Sequence, residues 1–140
     1  MGTSYETDIV AWANEQAALL RDGEFDRIDV FHVADEIRSL AYGEKYELRG
    51  HLAALAAHLL IWQCEPEKKL GAWYGISYRR AAIRYQMDQS PSLTQAFADS
   101  KWLDSVWSEA LMLAYKEAER EFPETWPWPA RQLLGECLRD

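Results

Sequence analysis

Residues 47–63, E-L-R-G-H-L-A-A-L-A-A-H-L-L-I-W-Q, form the stretch that decides the fold. Large apolar side chains recur there at the i, i+4, i+7, i+11 and i+14 spacing of one helix face, at Leu48, Leu52, Leu55, Leu59 and Trp62. Four alanines, Leu60 and Ile61 leave few polar positions on the opposite side. We therefore predict a helix that is buried nearly all round, with the remaining helices packed against it.

The residues before this stretch leave two alternatives for the central helix. Ile37 and Leu48 lie eleven residues apart, which is in phase for one continuous helix over residues 29–63. Gly43, surrounded by polar residues, could instead end a helix and start a hairpin. We favour continuity with a kink near Gly43, because its neighbours are acceptable helix formers and no proline is present.

Helical spacing and end signals predict one helix on each side of the central helix. The first follows a capping box formed by Thr3 and Glu6 and ends near Gly23. Pro66 ends the central helix, and the next helix runs from about residue 69 to residue 89.

The last third of the chain predicts one long and one short helix. The long helix covers residues 91–121, with Ser90 as its N-cap, and an alternative break falls at residues 99–101. Pro129 opens the last short helix. Together these elements predict an all-α antiparallel bundle of five or six helices, built on a long central helix as one domain over residues 1–140.

Composition limits the classes of protein to be considered. The chain has 140 residues, 49% of them hydrophobic, and a formal net charge of −8, which argues against general attraction to nucleic acid or anionic lipid. Cys64 and Cys137 are too few for a disulfide framework, so we expect a cytoplasmic protein. No apolar run is long enough to cross a membrane, and the first residues do not form a signal peptide.

The order of several short motifs resembles the bacterial family known as domain of unknown function 29 (DUF29). The motifs are Y-E-T-D (5–8), Trp12, Gln16, A-D-E-I-R-S-L (34–40), H-L-L-I-W-Q (58–63), Pro66, Trp73, D-Q-S-P-S-L (88–93), A-Y-K-E-A (114–118) and F-P-E-T-W-P-W (122–128). The chain departs from the family pattern at Asp35, where glutamate is usual, and at Ile61, where lysine is usual. The resemblance implies an all-helical fold and a bacterial origin, but no activity.

A compact group of polar residues suggests a metal or acid–base site. His32, Asp35 and Glu36 stand at i, i+3 and i+4, which places them on neighbouring parts of one helix face. A metal would need a further ligand such as His58, with Glu47 and His51 as the other candidates. In a continuous helix His32 and His58 are roughly 39 Å apart, so only a hairpin or a second subunit would complete the site. Salt bridges and a hydrogen-bonded core histidine are the alternative interpretation.

Residues 66–85 are locally basic. They hold five cations and the single acid Glu67, a net charge of +4, together with three tyrosines, Tyr74, Tyr78 and Tyr85. The cations are Lys68, Lys69, Arg79, Arg80 and Arg84. Arginine beside tyrosine is typical of phosphate contact combined with base stacking, so we consider an anion or nucleic-acid surface. The alternative is that these cations pair with acidic residues within the bundle or across a dimer.

Most of the seven tryptophans are predicted to lie in the core, but Trp126 and Trp128 stand between prolines and could form an exposed patch for a partner. No nucleophile, P-loop or dinucleotide motif occurs, so we predict no cofactor and leave enzymatic activity open. The leading interpretation is a non-catalytic helical interaction or regulatory module, acting as a homo-oligomer or with a protein partner. A nucleic-acid-binding protein and a metal-dependent enzyme are the alternatives.

Overall fold

The computed structural model describes residues 2–118, 120–125, 127 and 133. Over these residues it contains α1 (Ile9–Asp22), α2 (Val30–Cys64), α3 (Lys69–Gln89) and α4 (Ser100–Ala118), with 3₁₀ helices at Phe25–Arg27, Pro66–Lys68 and Pro91–Ala98. No strand occurs in this part of the chain. The predicted all-α helical bundle is therefore confirmed. None of the helices that the structure describes has the length and apolar character needed to cross a membrane.

The chain divides into two compact units, Met1–Glu44 and Lys45–Asp140. The first unit contains α1, the short 3₁₀ helix Phe25–Arg27 and the beginning of α2. The second contains the rest of α2, α3 and α4. Folding as one domain stays a prediction.

Helix α1 begins later than the capping box predicts. Its N-cap is Asp8, whose side chain accepts a hydrogen bond from the backbone N–H of Ala11 at 3.0 Å. The predicted box at Thr3 and Glu6 is wrong, because the Thr3 N–H donates instead to the carboxylate of Glu15 at 2.7 Å. Gly23 ends α1 at a φ of 73°, a left-handed conformation that glycine adopts without a side-chain clash.

Helix α2 is continuous over 35 residues, which confirms the predicted long helix and excludes the hairpin at Gly43. Gly43 lies within the helix, and a Cβ added there would meet no atom within 4 Å. The helix therefore continues through Gly43, because the helix propensity of its neighbours outweighs the free-energy cost of one glycine in a helix. A kink at Gly43 stays a prediction.

The core of the second unit forms around the 48–61 part of α2. The buried α2 residues are Leu48, Leu52, Ala53, Ala54, Leu55, Ala56, Ala57, Leu60 and Ile61. Side chains from α3 and α4, including Ile76, Ile83 and Val106, pack in the same cluster. Trp62 departs from the expected buried face, since it is 36% exposed and lies beneath the Lys69 ammonium at 4.8 Å. Among the described tryptophans Trp12 and Trp107 are buried, whereas Trp73 is exposed.

The predicted continuous helix over residues 91–121 is wrong, and the alternative break is found. Residues Pro91–Ala98 form a 3₁₀ helix, in which Ser90 makes no side-chain capping bond. Asp99 then starts α4, because its carboxylate accepts from the backbone N–H groups of Lys101 and Trp102 at 3.1 and 3.2 Å. The last short helix predicted from Pro129 lies outside the described residues except for Leu133, which is helical and buried in the core.

Candidate functional site

Polar and aromatic side chains from three segments meet in the first unit. We call them the N-terminal cluster: Tyr5, Trp12, Gln16, Asp29, His32 and Glu36. Tyr5 precedes α1, Trp12 and Gln16 lie buried on α1, and His32 and Glu36 lie on the first turns of α2. Asp29 stands directly before α2, where a carboxylate can cap the helix. The cluster therefore ties the start of the chain and α1 to the beginning of α2.

Asp29 is the centre of this cluster. Its Oδ2 accepts a hydrogen bond from Trp12 Nε1 at 3.0 Å and lies 2.7 Å from His32 Nδ1. Its backbone N–H donates to Gln16 Oε1 at 2.8 Å. The hydrogen bond from His32 is the main reason that the pKa of Asp29 is lowered from its ordinary value. This arrangement stabilises a negative Asp29 and fixes the orientation of the His32 ring.

Tyr5 covers the other side of His32. The two rings stack with centroids 4.2 Å apart and planes at 15°, while the Trp12 ring meets Tyr5 edge-on at 4.8 Å. The Tyr5 hydroxyl donates a hydrogen bond to the Glu36 carboxylate. That bond is the largest cause of the raised pKa of Tyr5, because ionisation would remove the proton that the hydroxyl donates to Glu36.

The residues predicted as metal ligands belong to two different units of the chain. His32 and Glu36 belong to the N-terminal cluster, but each is bonded to a protein group, and Asp35 is exposed. His58 belongs to the second unit. Within the described part of the chain no three histidine, cysteine, aspartate or glutamate side chains are grouped so that they could hold a metal ion. A metal site at His32, Asp35, Glu36 and His58 therefore stays a prediction.

Sequence reasoning found His32 and Glu36 but missed their partners. Asp29 carries a usable signal, since it precedes a helical stripe and stands three residues before His32. Tyr5 and Trp12 carry no such signal in helical spacing, because they reach the cluster only through the path of the chain before α2. Both residues nevertheless belong to the motifs on which the family resemblance rests.

His58 is a half-buried histidine that packs against a glycine of α3. A Cβ added to Gly75 would lie 2.5 Å from His58 Nε2, so the imidazole occupies the space that a larger residue would need. Burial is the main reason that the pKa of His58 is lowered, with Glu117 opposing the shift and Arg79 adding to it. The surroundings of His58 therefore favour the neutral form of its imidazole.

The cations of the predicted anion surface on residues 68–84 contact other residues of the same chain. Lys68 Nζ donates to the Glu117 carbonyl at 2.5 Å, and Lys69 lies over the Trp62 ring. Arg79 Nη1 lies 3.0 Å from His51 Nδ1. Arg80 and Arg84 are half-buried, and neither is without a partner. The exposed face of α3 carries instead Leu70, Tyr74, Tyr78 and Tyr85, which are 63–70% exposed. An anion or nucleic-acid role for the five cations stays a prediction.

A groove of about 620 Å³ lies between the end of α4 and the following segment, lined by Leu111, Met112, Tyr115, Lys116, Glu121, Phe122 and Glu124. Among the described residues, the side chains that line this groove include no histidine, cysteine or serine. The predicted partner patch at Trp126 and Trp128 lies outside the described residues.

The first part of α2 presents a row of exposed apolar side chains. We call this row the α2 stripe: Val30, Ala34, Ile37, Leu40 and Ala41. Val30, Ile37 and Leu40 are 68%, 63% and 71% exposed. Their spacing places all five on one side of the helix. Contiguous exposed apolar surface of this kind is typical of protein interaction sites.

Comparison with known proteins gives a family but no function. Neither a curated protein nor a solved structure matches this chain. The family model for a domain of unknown function, DUF29, matches residues 4–138, which is nearly the whole chain. The chain belongs to the DUF29 family.

Proposed function

We propose that this protein is a non-catalytic helical interaction module that binds another protein chain through the α2 stripe. The observation that carries the proposal is a contrast within one helix. Val30, Ile37 and Leu40 are each more than 60% exposed, whereas Leu48, Leu52 and Leu55 are 0% exposed. Exposed aliphatic side chains at helical spacing are the usual recognition face of one helix for another.

The arrangement of polar groups supports a structural role for the N-terminal cluster. Asp29 takes donors from Trp12 and His32, and Glu36 takes the Tyr5 hydroxyl, so the cluster holds the start of α2 in place. Orienting α2 in this way would also orient the stripe that begins at Val30. The partner can be a further copy, giving a homo-oligomer, or a different protein. A bacterial cytoplasmic setting is part of the proposal, supported by the low cysteine content and the family resemblance.

A matched pair of variants tests this function. Ile37→Glu places a charge in the stripe, and Ser39→Glu places the same charge on the opposite side of α2, two residues away. The chain is expressed in its source cells with two different affinity tags, and one tagged form is purified. We expect the other tagged copy or one defined protein to co-purify with wild type and Ser39→Glu and to be lost with Ile37→Glu. Recovery that is identical for both variants, or absent throughout, would refute an interaction through the stripe.

A further inference from the structure

We infer that His51, Arg79 and His58 form an acid-sensitive contact between α2 and α3, which holds while both histidines are neutral and loosens when they take up protons. His51 and His58 stand seven residues apart, two turns along the same face of α2. Arg79 lies on α3, one turn after the Gly75 that packs against His58. All four residues belong to the second unit, so the contact is independent of the α2 stripe and of the proposed function. In the described part of the chain neither histidine belongs to a group of ligands that could hold a metal ion.

The tautomer of His51 follows from its hydrogen bond with Arg79. Arg79 Nη1 lies 3.0 Å from His51 Nδ1. A guanidinium has N–H donors and no acceptor, so Nδ1 must accept the bond. The imidazole in this contact is therefore the neutral form that carries its proton on Nε2. A proton on Nδ1 would place two donors face to face and break the hydrogen bond.

The carboxylate on the other side of His51 does not compensate for that loss. Glu47 Oε1 lies 3.7 Å from His51 Nε2, which is beyond hydrogen-bond distance. The Glu47 side chain is 61% exposed, whereas that of His51 is 15% exposed. Attraction to a carboxylate that water screens is worth little, whereas the broken bond leaves donors without an acceptor in a partly buried contact. Proton uptake by His51 therefore weakens the contact with α3.

His58 responds to acid in the same direction. Its imidazole fills the space beside Gly75, where an added Cβ would lie 2.5 Å from Nε2. Burial is the largest cause of the lowered pKa of His58, Arg79 adds to it, and Glu117 on α4 opposes it. The stabilisation by neutral His58 is therefore complete above the ordinary histidine pKa of about 6.5, and it is lost as pH falls from there through the lowered value.

Arg79 links the two histidines. Its guanidinium donates to the ring of His51 and is one of the causes that lower the pKa of His58. A proton on either imidazole adds a positive charge near this guanidinium. Once the contact loosens, both rings gain access to water, which favours their charged forms. Acid should therefore release the middle of α3 from α2.

Amide hydrogen exchange of the full chain tests this release. We compare the protection of residues 72–83 in α3 at about pH 7.5 and about pH 5, each relative to the unstructured chain at the same pH, and expect a loss of roughly ten-fold or more in wild type. His51→Gln supplies an acceptor that does not titrate and should keep most of the protection at low pH. His32→Gln changes the histidine of the first unit and should lose protection as wild type does. Unchanged protection in wild type, or an equal loss in His51→Gln and wild type, would overturn the inference.

Nitrogen NMR of the imidazoles tests the same contact without changing either histidine. We expect His51 to carry its proton on Nε2 at about pH 7.5. Arg79→Gln should raise the pKa of His58 toward its ordinary value, because one of the groups that lower it is removed. Lys69→Gln removes a cation of α3 that does not act on His58 and serves as the matched control. A proton found on His51 Nδ1, or the same pKa of His58 in wild type and Arg79→Gln, would refute the proposed contact.

Discussion

The two parts of α2 carry similar apolar residues but have opposite environments. Between residues 30 and 46 the large apolar side chains Val30, Ile37 and Leu40 face solvent. Between residues 48 and 61 Leu48, Leu52 and other apolar side chains are buried against α3 and α4. Both parts belong to one uninterrupted helix. The difference teaches that helical periodicity sets which side chains share a face, whereas neighbouring elements decide whether that face is covered.

The largest expected difference between the two parts is in stability. Leu55→Ala should lower the free energy of unfolding by about 2–5 kcal/mol, because it leaves a cavity in the core of the second unit. Ile37→Ala should cost less than about 0.5 kcal/mol in dilute protein, since the side chain is exposed. Urea denaturation of both variants at low micromolar concentration measures these values. An equal loss of unfolding free energy in Leu55→Ala and Ile37→Ala would contradict the difference between the two parts of α2.

Protein concentration sharpens this first prediction. If a second copy covers Ile37, wild type gains stability at high concentration and Ile37→Ala gains less. Leu55→Ala should lose the same amount at every concentration, because its surroundings are supplied by its own chain. Urea denaturation of wild type and both variants, repeated at a roughly hundred-fold higher protein concentration, measures this difference, and Leu55→Ala serves as the control.

Two glycines provide a second comparison. Gly75→Ala should lower the free energy of unfolding by roughly 1–3 kcal/mol, because the new Cβ would lie 2.5 Å from His58 Nε2 and the ring must move. Gly43→Ala should instead raise it by about 0.5–1 kcal/mol, since that Cβ meets no atom within 4 Å and alanine favours helix. Thermal or urea unfolding distinguishes the two. A Gly75→Ala variant as stable as wild type would contradict the close packing of His58.

The stability of the second unit should depend on pH through His58. Burial lowers the pKa of His58 in the folded chain, so the unfolded chain takes up a proton at higher pH than the folded chain. The stabilising effect is therefore complete above the ordinary histidine pKa of about 6.5 and is lost as pH falls from there through the folded value. Unfolding of wild type and His58→Gln between pH 7.5 and 5 measures this. A slope that is unchanged in His58→Gln would assign the pH dependence to other groups.

The smallest expected effect lies in the first unit. Because Glu36 accepts the Tyr5 hydroxyl, the pKa of Tyr5 is raised above its ordinary value, and Glu36→Gln should return it toward that value. This contribution is present below about pH 10 and is lost as pH rises through the raised pKa of Tyr5. Tyrosine ring NMR across this range, with Tyr5→Phe for assignment, provides the measurement. A Tyr5 that titrates with the exposed tyrosines would show that the hydrogen bond to Glu36 does not persist in solution.

The sequence predicts the helices well because their signals are local. The end of α1 at Gly23, the continuity of α2 through Gly43 and the bounds of α3 follow from spacing and breaker residues. Asp99 interrupts the apolar periodicity in the sequence, and in the structure its side chain caps α4. An aspartate at this position can either cap a new helix or lie within a helix that continues. The periodicity of the apolar residues does not distinguish the two.

The candidate sites depend on contacts between distant residues, and sequence spacing is a weaker guide to them. Glu36 accepts a hydrogen bond from Tyr5, which is 31 residues away in the sequence and reaches Glu36 only through the path of the chain. The sequence places Arg79 on a helix, but its spacing does not indicate that Arg79 lies against His51 of α2. The exposure of Val30 and Ile37 could not be inferred either, because their periodicity is the same whether or not a neighbouring element covers them.

Amide hydrogen exchange along α2, measured at two protein concentrations, tests the central claim most directly. We predict that residues 48–61 are protected equally at low and high concentration, whereas residues 30–41 exchange quickly in dilute protein and, if the partner is a further copy, become protected as concentration rises. Ile37→Glu should remove only the second effect. Equal and concentration-independent protection along the whole of α2 would contradict an open α2 stripe.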